Sequence, residues 1–392
     1  MDLTLIVVLV IALALFFDFT NGFHDTANAM ATPIATGALR PKTAVALAAV
    51  LNLVGAFLST EVAKTISGGI IKEGDGGVLI TPELIFAGLI GAIVWNMVTW
   101  LLGLPSSSSH ALFGGLIGAA IVGFGVGAID FAVVMSKVIL PALLAPLTAG
   151  LIAYAATKLA YAITRRYDGK PDGRDGFRHA QIFSSSLVAL AHGTNDAQKT
   201  MGVITLTLVA AGMQEAGSEV QTWVIVTCAV AIALGTYMGG WRIIKTLGTG
   251  LTDVKPAQGF AAETATAATI LASSHVGFAL STTQVASGSV IGSGLGRRGS
   301  KVRWRTAGRI GVGWLLTLPA AGAVGALAAA VAHLGVVGVL IDAVVGVTVI
   351  IGIFLWSRRS EVSPDNVLSE VADSGRAVKI KRNPKPKKKV KA

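Results

Sequence analysis

The sequence predicts an all-α polytopic membrane protein made of two homologous repeats with discontinuous helices, on three observations. Of the 392 residues 53% are hydrophobic and 47 are glycine, while 14% are charged, against about 25% in ordinary soluble domains. With a mean hydropathy of +0.69, the chain has more apolar surface than one aqueous core could bury, and its apolar residues come in long unbroken runs rather than amphipathic stripes. Two pairs of polar segments also match across the middle of the chain. A soluble globule is excluded. The glycine content and the missing strand-like alternation exclude a β-barrel. Cys228 is the lone cysteine and lies in an apolar run, so no internal disulfide framework or cysteine metal site is expected.

The first apolar run, Leu3 to Phe17, has no basic segment before it and no small-residue cleavage site after it, and so reads as a retained helix rather than a signal peptide. Further runs lie near 44–58, 84–104, 111–129, 131–162, 182–191, 201–211, 223–238, 307–332 and 335–356, giving about nine to twelve membrane segments, some too short to span alone. The stretch TRRYDGKPDGRDGFRH (164–179) is polar and carries Pro and Gly. It divides the chain into an N-terminal repeat (1–163), a linker loop (164–179), a C-terminal repeat (180–356) and a tail (357–392). The tail holds 11 Lys and Arg against 4 Asp and Glu, so it supplies +7 of the net +11. Its end, KIKRNPKPKKKVKA, reads as disordered and drawn to anionic lipid headgroups rather than nucleic acid. Basic residues in the linker, in the later loop (Arg297, Arg298, Lys301, Arg303, Arg305) and in the tail place all three on the cytoplasmic side of the cell membrane.

The internal match is specific. NGFHDTANAM (21–30) aligns with HGTNDAQKTM (192–201), pairing Gly22 with Gly193, Asp25 with Asp196 and Met30 with Met201. SSSHALFGGLIG from Ser107 aligns with STTQVASGSVIG from Ser281. Both pairs occur in the same order, and at nearly equal offsets. Duplicated halves with polar interruptions at corresponding places point to discontinuous helices meeting near the bilayer midplane, as in secondary transporters. The repeats are inverted if each half makes an odd number of crossings.

Asp25 and Asp196 are the strongest individual signals, because an ionised carboxylate at mid-membrane is costly unless it is paired or hydrated. Each either caps a broken helix or binds a coupling cation, and the two roles are compatible. Asn28 and Gln198 follow them closely and offer the carbonyl oxygens that hard cations prefer. The hydroxyl clusters, Ser106 to Ser109 and Ser281 to Thr283, each open a glycine-rich apolar run. A plain N-cap needs one hydroxyl, not three or four. Two such helix starts facing each other would cradle an anion through free amides, dipoles and O–H donors.

Carboxylates beside an anion cradle need a mediator, since two unit charges ~4 Å apart repel by about 4 kcal/mol at an effective dielectric of 20. The mediator is a cation, proton or metal ion, which couples its own movement to that of the anion. Because a carboxylate can accept a hydrogen bond from a protonated oxyanion, hydrogenphosphate is favoured over fully deprotonated sulfate. His24, His110, His192 and His275 lie in or beside the motifs, but their spacing matches no metal-ligand pattern. His24 is a candidate for proton handling as well as for a structural hydrogen bond. Glu263 reads as part of the cation-coupling set and Glu61 as a solvated helix end, while Lys199 either pairs with Asp196 or contacts an anion. Asn52 and Asn96 read as bridges between helices. GFGVG at Gly123 and GSGLG at Gly292 follow no strand and read as helix-packing glycines, not nucleotide loops.

At NGFHDTANA, HGTNDAQKTMG and LPSSSSH the chain resembles the inorganic phosphate transporter (PiT) family, in particular its bacterial low-affinity Pit branch, from about residue 5 to 356. The resemblance implies a duplicated helical transporter in which Asp25, Asn28, Asp196 and Gln198, with the hydroxyls of Ser107, Ser108, Ser109, Ser281, Thr282 and Thr283, surround phosphate and its cation. It further implies carriage of phosphate with protons, often as a neutral complex with a divalent metal such as Mg²⁺. Sodium-coupled relatives often have G-A-N-D where this chain has Gly22-Phe23-His24-Asp25, and an acidic residue at the place of Asn52. The second hydroxyl motif reads STTQ rather than STTH, which sets Gln284 opposite His110.

The expected function is therefore secondary active import of phosphate by symport with H⁺, not enzymatic catalysis. The alternatives are Na⁺ coupling, another oxyanion such as sulfate or arsenate, or an intramembrane aspartyl protease built on the two aspartates. Expected partners are phosphate and the bilayer, with a homodimer left open and no resident cofactor.

Overall fold

A computed structural model describes residues 3–67, 80–164, 171–360, 362–365 and 367. Six linker residues (165–170) and nearly all of the basic tail lie outside the described residues. The described chain is helical throughout: α1 (Leu3–Ala35), α2 (Pro41–Gly55), α3 (Glu61–Ser67), α4 (Pro82–Leu101), α5 (Ser108–Phe124), α6 (Phe131–Val133), α7 (Leu140–Thr164), α8 (Pro171–Ala210), α9 (Thr222–Met238), α10 (Trp241–Lys245), α11 (Pro256–His275), α12 (Thr282–Gly296), α13 (Trp304–Ala332) and α14 (Val336–Ser357). A π-helical stretch, Val134–Ile139, joins α6 and α7 into one 34-residue rod.

The second half of the expected linker loop is helix, since α8 begins at Pro171. Among the described residues, five helices are long and apolar enough to cross a membrane, or six if the α9–α10 pair, bent by 60°, counts as one span. That criterion gives fewer than the nine to twelve segments read from the sequence. The helices that fall short, including α5, α8, α11 and α12, are the ones that carry the polar motifs or are short.

The duplication is visible in three dimensions. α4 and α11 are both 20 residues long and open on proline. Each is followed by a short break and then by a helix starting at its hydroxyl motif, α5 or α12. Both breaks turn on a left-handed glycine at the same place in the repeat, Gly103 (φ +62°) and Gly277 (φ +74°), a conformation that glycine adopts at little cost. The helices containing the Asp motifs, α1 and α8, run unbroken through them. Among the described residues the breaks that recur in both halves are those at the hydroxyl motifs, not at the aspartates.

The halves interlock. α5 packs on α13 of the other half and α12 on α7, while α1 packs on α9 and α8 on α2. Glycines set these approaches. A Cβ on Gly118 would lie 1.9 Å from the carbonyl oxygen of Gly322, and one on Gly292, its repeat mate, 2.0 Å from that of Gly150. At the centre α1 lies against α8 in antiparallel sense, since Thr36 bonds Gln181 (2.7 Å) near one end and Asp25 meets His192 (3.8 Å) further along. Equivalent helices running in opposite directions are what inverted repeats require. GFGVG does not pack helices. It ends α5, with Gly125 at φ +86° as the cap and open space around Gly127.

Arginines tie neighbouring segments together. Arg242 donates to the Ser357 carbonyl (2.7 Å), Arg303 bonds the Thr249 carbonyl, and Arg297 bonds Gln258 (3.1 Å). Glu61 is exposed at the start of α3, whose Val62, Ala63 and Ile66 are buried, and it pairs with Lys64 (3.2 Å).

Candidate functional site

The two broken helices present their N-termini to the centre of α1 and α8. Each start is capped by one hydroxyl: Ser107 Oγ accepts from the His110 amide (3.1 Å) and Ser281 Oγ from the Gln284 amide (3.3 Å). Capping therefore uses one hydroxyl per motif. Ser108, Thr282 and Thr283 turn to the carboxylates. Thr282 Oγ1 reaches both Asp25 Oδ2 (3.3 Å) and Asp196 Oδ2 (2.8 Å), Thr283 donates to Asp25 Oδ1 (3.1 Å) and Ser108 to Asp25 Oδ2 (3.3 Å). Asn28 donates to Thr283 (3.1 Å), and Ser109 to the Leu280 carbonyl (3.2 Å). Gln284 meets His110 (3.4 Å), its repeat equivalent, so the pseudo-twofold axis passes between the helix starts. All of these side chains are buried.

Basic groups complete the cluster. His24 Nδ1 lies 2.6 Å from Asp25 Oδ1, and its Nε2 faces Thr99 and Ser106 (3.4 Å each). His192 Nε2 lies between the carboxylates, 2.8 Å from Asp196 and 3.8 Å from Asp25, with its Nδ1 at 3.2 Å from Asn52 Oδ1. Lys199 pairs with Asp196 and donates to the Leu280 carbonyl (3.0 Å). One ligand atom each from Asp25, His192 and Asp196 lie within 4.8 Å of one another, close enough for one small cation to be shared among them. With the imidazoles neutral, two carboxylates and one ammonium leave a single net negative charge. Aspartates divided among two histidines, a lysine and three hydroxyls are not the proton-sharing dyad of an aspartyl protease.

Two expected residues lie elsewhere. Gln198 turns away from the cluster: its Oε1 accepts from the Val62 (2.7 Å) and Ala63 (3.3 Å) amides and so caps α3, and its Nε2 bonds the Thr194 carbonyl. The reason is helical periodicity. At i+2 from Asp196 it points to a different face, whereas Lys199 at i+3 shares the face of Asp196. Glu263 lies in a separate buried group with Thr32 (2.5 Å), Ser184 (2.5 Å) and Gln181 (3.0 Å).

His192 is the residue that sequence reasoning undervalued. Its signal was the i, i+4 spacing to Asp196, which puts both on one helix face. Asn52 bridges α2 to α8 through His192 and to α9 through Thr236 (2.7 Å), so it is both helix bridge and imidazole support.

Known proteins resemble the chain in sequence and in fold. Proteins described as "Probable low-affinity inorganic phosphate transporter" match the chain in Mycobacterium tuberculosis (56% identity, 94% of this chain and 88% of the relative) and in Bacillus subtilis (42%, 84% and 98%). A solved structure described as "The sodium-dependent phosphate transporter" superposes with a TM-score of 0.74 over 84% of this chain and 100% of its own, at 23% identity, a likeness of fold. The model of the phosphate transporter family matches twice, over residues 21–171 and 162–325, once on each half and each time across one aspartate motif and one hydroxyl helix start. The chain belongs to the phosphate transporter family, and is a multi-pass membrane transporter rather than an enzyme.

Proposed function

We propose that the chain imports inorganic phosphate across the cell membrane by symport with a cation, the proton being the reading its residues favour. One observation carries this: two duplicated helix starts bring their hydroxyls and dipoles onto a pair of buried aspartates that already hold two imidazoles and an ammonium.

The helix starts attract an anion, while the net negative charge of the cluster repels it. A phosphate oxygen can take the O–H bonds of Ser108, Thr282 and Thr283 only if the carboxylates are otherwise satisfied. A proton on His24, His192 or a carboxylate supplies that compensation, so each ligand makes the site better for the other. A carboxylate can also accept from a protonated phosphate, which favours hydrogenphosphate over sulfate. The same logic allows a neutral metal-phosphate complex as cargo, the metal's charge cancelling the anion's. Two features favour protons over sodium: imidazoles touch both carboxylates, and Lys199 fills the position that Asn28 holds in the first repeat. Two partly equivalent halves running in opposite directions let the central cluster open alternately to either face. The loops carrying the arginines are cytoplasmic on the positive-inside rule.

The test is uptake of labelled phosphate into proteoliposomes under a pH gradient and, separately, a sodium gradient, with and without Mg²⁺. Accumulation driven by pH alone is the expected result. Asp25→Asn and Asp196→Asn should abolish it. Full uptake by both variants, or a strict sodium requirement, would overturn the proton reading.

A further inference from the structure

α1 carries three polar stations seven residues apart: Asp18, Asp25 and Thr32. At 1.5 Å per residue they are about 10 Å apart along the axis, and at i, i+7 they share one face of the helix. Asp25 is the central site. Thr32 belongs to the Glu263 group, toward the end of α1 that meets the start of α8. Asp18 lies on the opposite side of the centre, and neither the duplication nor the phosphate cluster accounts for it: its repeat mate, at the same offset of 171, is Ala189.

Its surroundings are unusual for a charged residue. Asp18 is 0% exposed, and neither carboxylate oxygen has a hydrogen-bond partner. Asn21, one turn on and also 0% exposed, has both side-chain polar atoms without a partner. Thr200 of α8 is the one hydroxyl placed to reach the Asp18 carboxylate, and it has no other side-chain partner among the described residues. Native proteins pair buried polar groups almost without exception, and here Asp18 has at most the Thr200 hydroxyl to answer two carboxylate oxygens, while Asn21 has nothing. All three offer oxygen atoms, the ligands of a hard cation or a proton. The other titratable groups around Asp18 are Asp196, His192 and Lys199 on α8 and Cys228 on α9. Lys199 is already engaged by Asp196, so no fixed cation serves Asp18.

We propose that Asp18, with Asn21 and Thr200, is a cation station on the coupling path, taking a proton or a sodium ion on the side of the phosphate site opposite Glu263. The inference rests on the cation-coupled reading above. The station gives an arriving cation a place one step before Asp25, along the same face of the same helix.

Two measurements on the full chain test it. The first needs no phosphate: infrared difference spectra of the purified protein after a pH jump, and after sodium addition at fixed pH, in phosphate-free buffer. A carboxyl C=O band that responds to the cation in wild type and is missing in Asp18→Asn is expected, and the arm that moves it identifies the cation. The second is cation-driven accumulation of labelled phosphate, expected to fall about tenfold or more in Asp18→Asn, within the usual range of coupling between sites, and to be largely restored in Asp18→Glu. The proposal is overturned if the responsive band persists in Asp18→Asn, if accumulation is unchanged, or if Asn and Glu impair it equally, since that would mark a role in shape rather than charge. Absence of phosphate uptake in wild type under either gradient would overturn the symport reading, while the phosphate-free spectra would still decide on Asp18.

Discussion

Replacing Lys199 with methionine keeps the volume and removes the charge, and it tests the electrostatics of the whole cluster. The ammonium is fully buried, with Asp196 Oδ1 and the Leu280 carbonyl as its partners. Removing one member of a buried ion pair costs about 3–5 kcal/mol, because the remaining charge is left without compensation. In Lys199→Met the remaining charge is Asp196, and the net charge of the cluster becomes two negative instead of one. Asp196→Asn on its own leaves the ammonium uncompensated and should cost a similar amount. The double variant removes both charges and should recover most of the loss, giving an interaction energy of about 2 kcal/mol or more in a double-mutant cycle. Unfolding of the purified protein in mixed micelles of rising SDS content would measure all four corners. If the double variant is as unstable as the sum of the singles, Lys199 is not the counter-charge of Asp196 and the charge count used above is wrong.

Other perturbations separate roles that lie close together. Thr282→Val removes the one hydroxyl shared by Asp25 and Asp196 and should raise the KM for phosphate far more than Ser281→Ala, which removes an N-cap worth about 1 kcal/mol of stability; proteoliposome kinetics beside unfolding curves would show the split. Gly118→Leu and Gly292→Leu should each destabilise by about 1–3 kcal/mol or more, since their Cβ atoms would fall on backbone carbonyls. Gly308→Ala, with nothing within 4 Å, should stay within about 1 kcal/mol of wild type. Asn52→Leu leaves His192 Nδ1 without its partner and should shift the pH profile of uptake more than it lowers the maximal rate.

The fold class and the duplication were legible because hydropathy and motif spacing are one-dimensional signals. Asp25, Asp196, Asn28 and the threonines after Ser281 were legible for the same reason: polar residues in apolar runs are costly wherever they point. What was not legible depended on direction. Gln198 was grouped with Asp196 by proximity in sequence, yet two residues along a helix is a turn of about 200°, and it caps α3 instead. The helix-capping role offered for each aspartate is not the one taken, because side chains of the same helix (His24, His192, Lys199) and of α5 and α12 satisfy the carboxylates, so the backbone hydrogen bonds of α1 and α8 need not open. Glu263, grouped in the sequence reading with the cation-coupling residues, belongs to a separate group that only the packing of α1, α8 and α11 brings together. The equivalence of Gly103 and Gly277 was present in the sequence all along, outside the windows that made the repeat conspicuous.

The two halves share a backbone plan but have exchanged side chains around the axis. Where the first motif has Asn21 and His24, the second has His192 and Asn195. His24 therefore lies one residue before its aspartate, and His192 one turn before its own. The first imidazole holds Asp25 from the side of Thr99 and Ser106, whereas the second reaches across to lie between both carboxylates. Lys199 in place of Asn28 adds a permanent charge on one side only. A symmetric site would bind two equivalent cations with equal ease. This one has a half neutralised by its own lysine and a half, Asp25 with Asn28 and His24, that is not. Cation dependence should consequently concentrate on Asp25, and Asp25→Asn should flatten the gradient dependence of uptake even where Asp196→Asn mainly destabilises the protein.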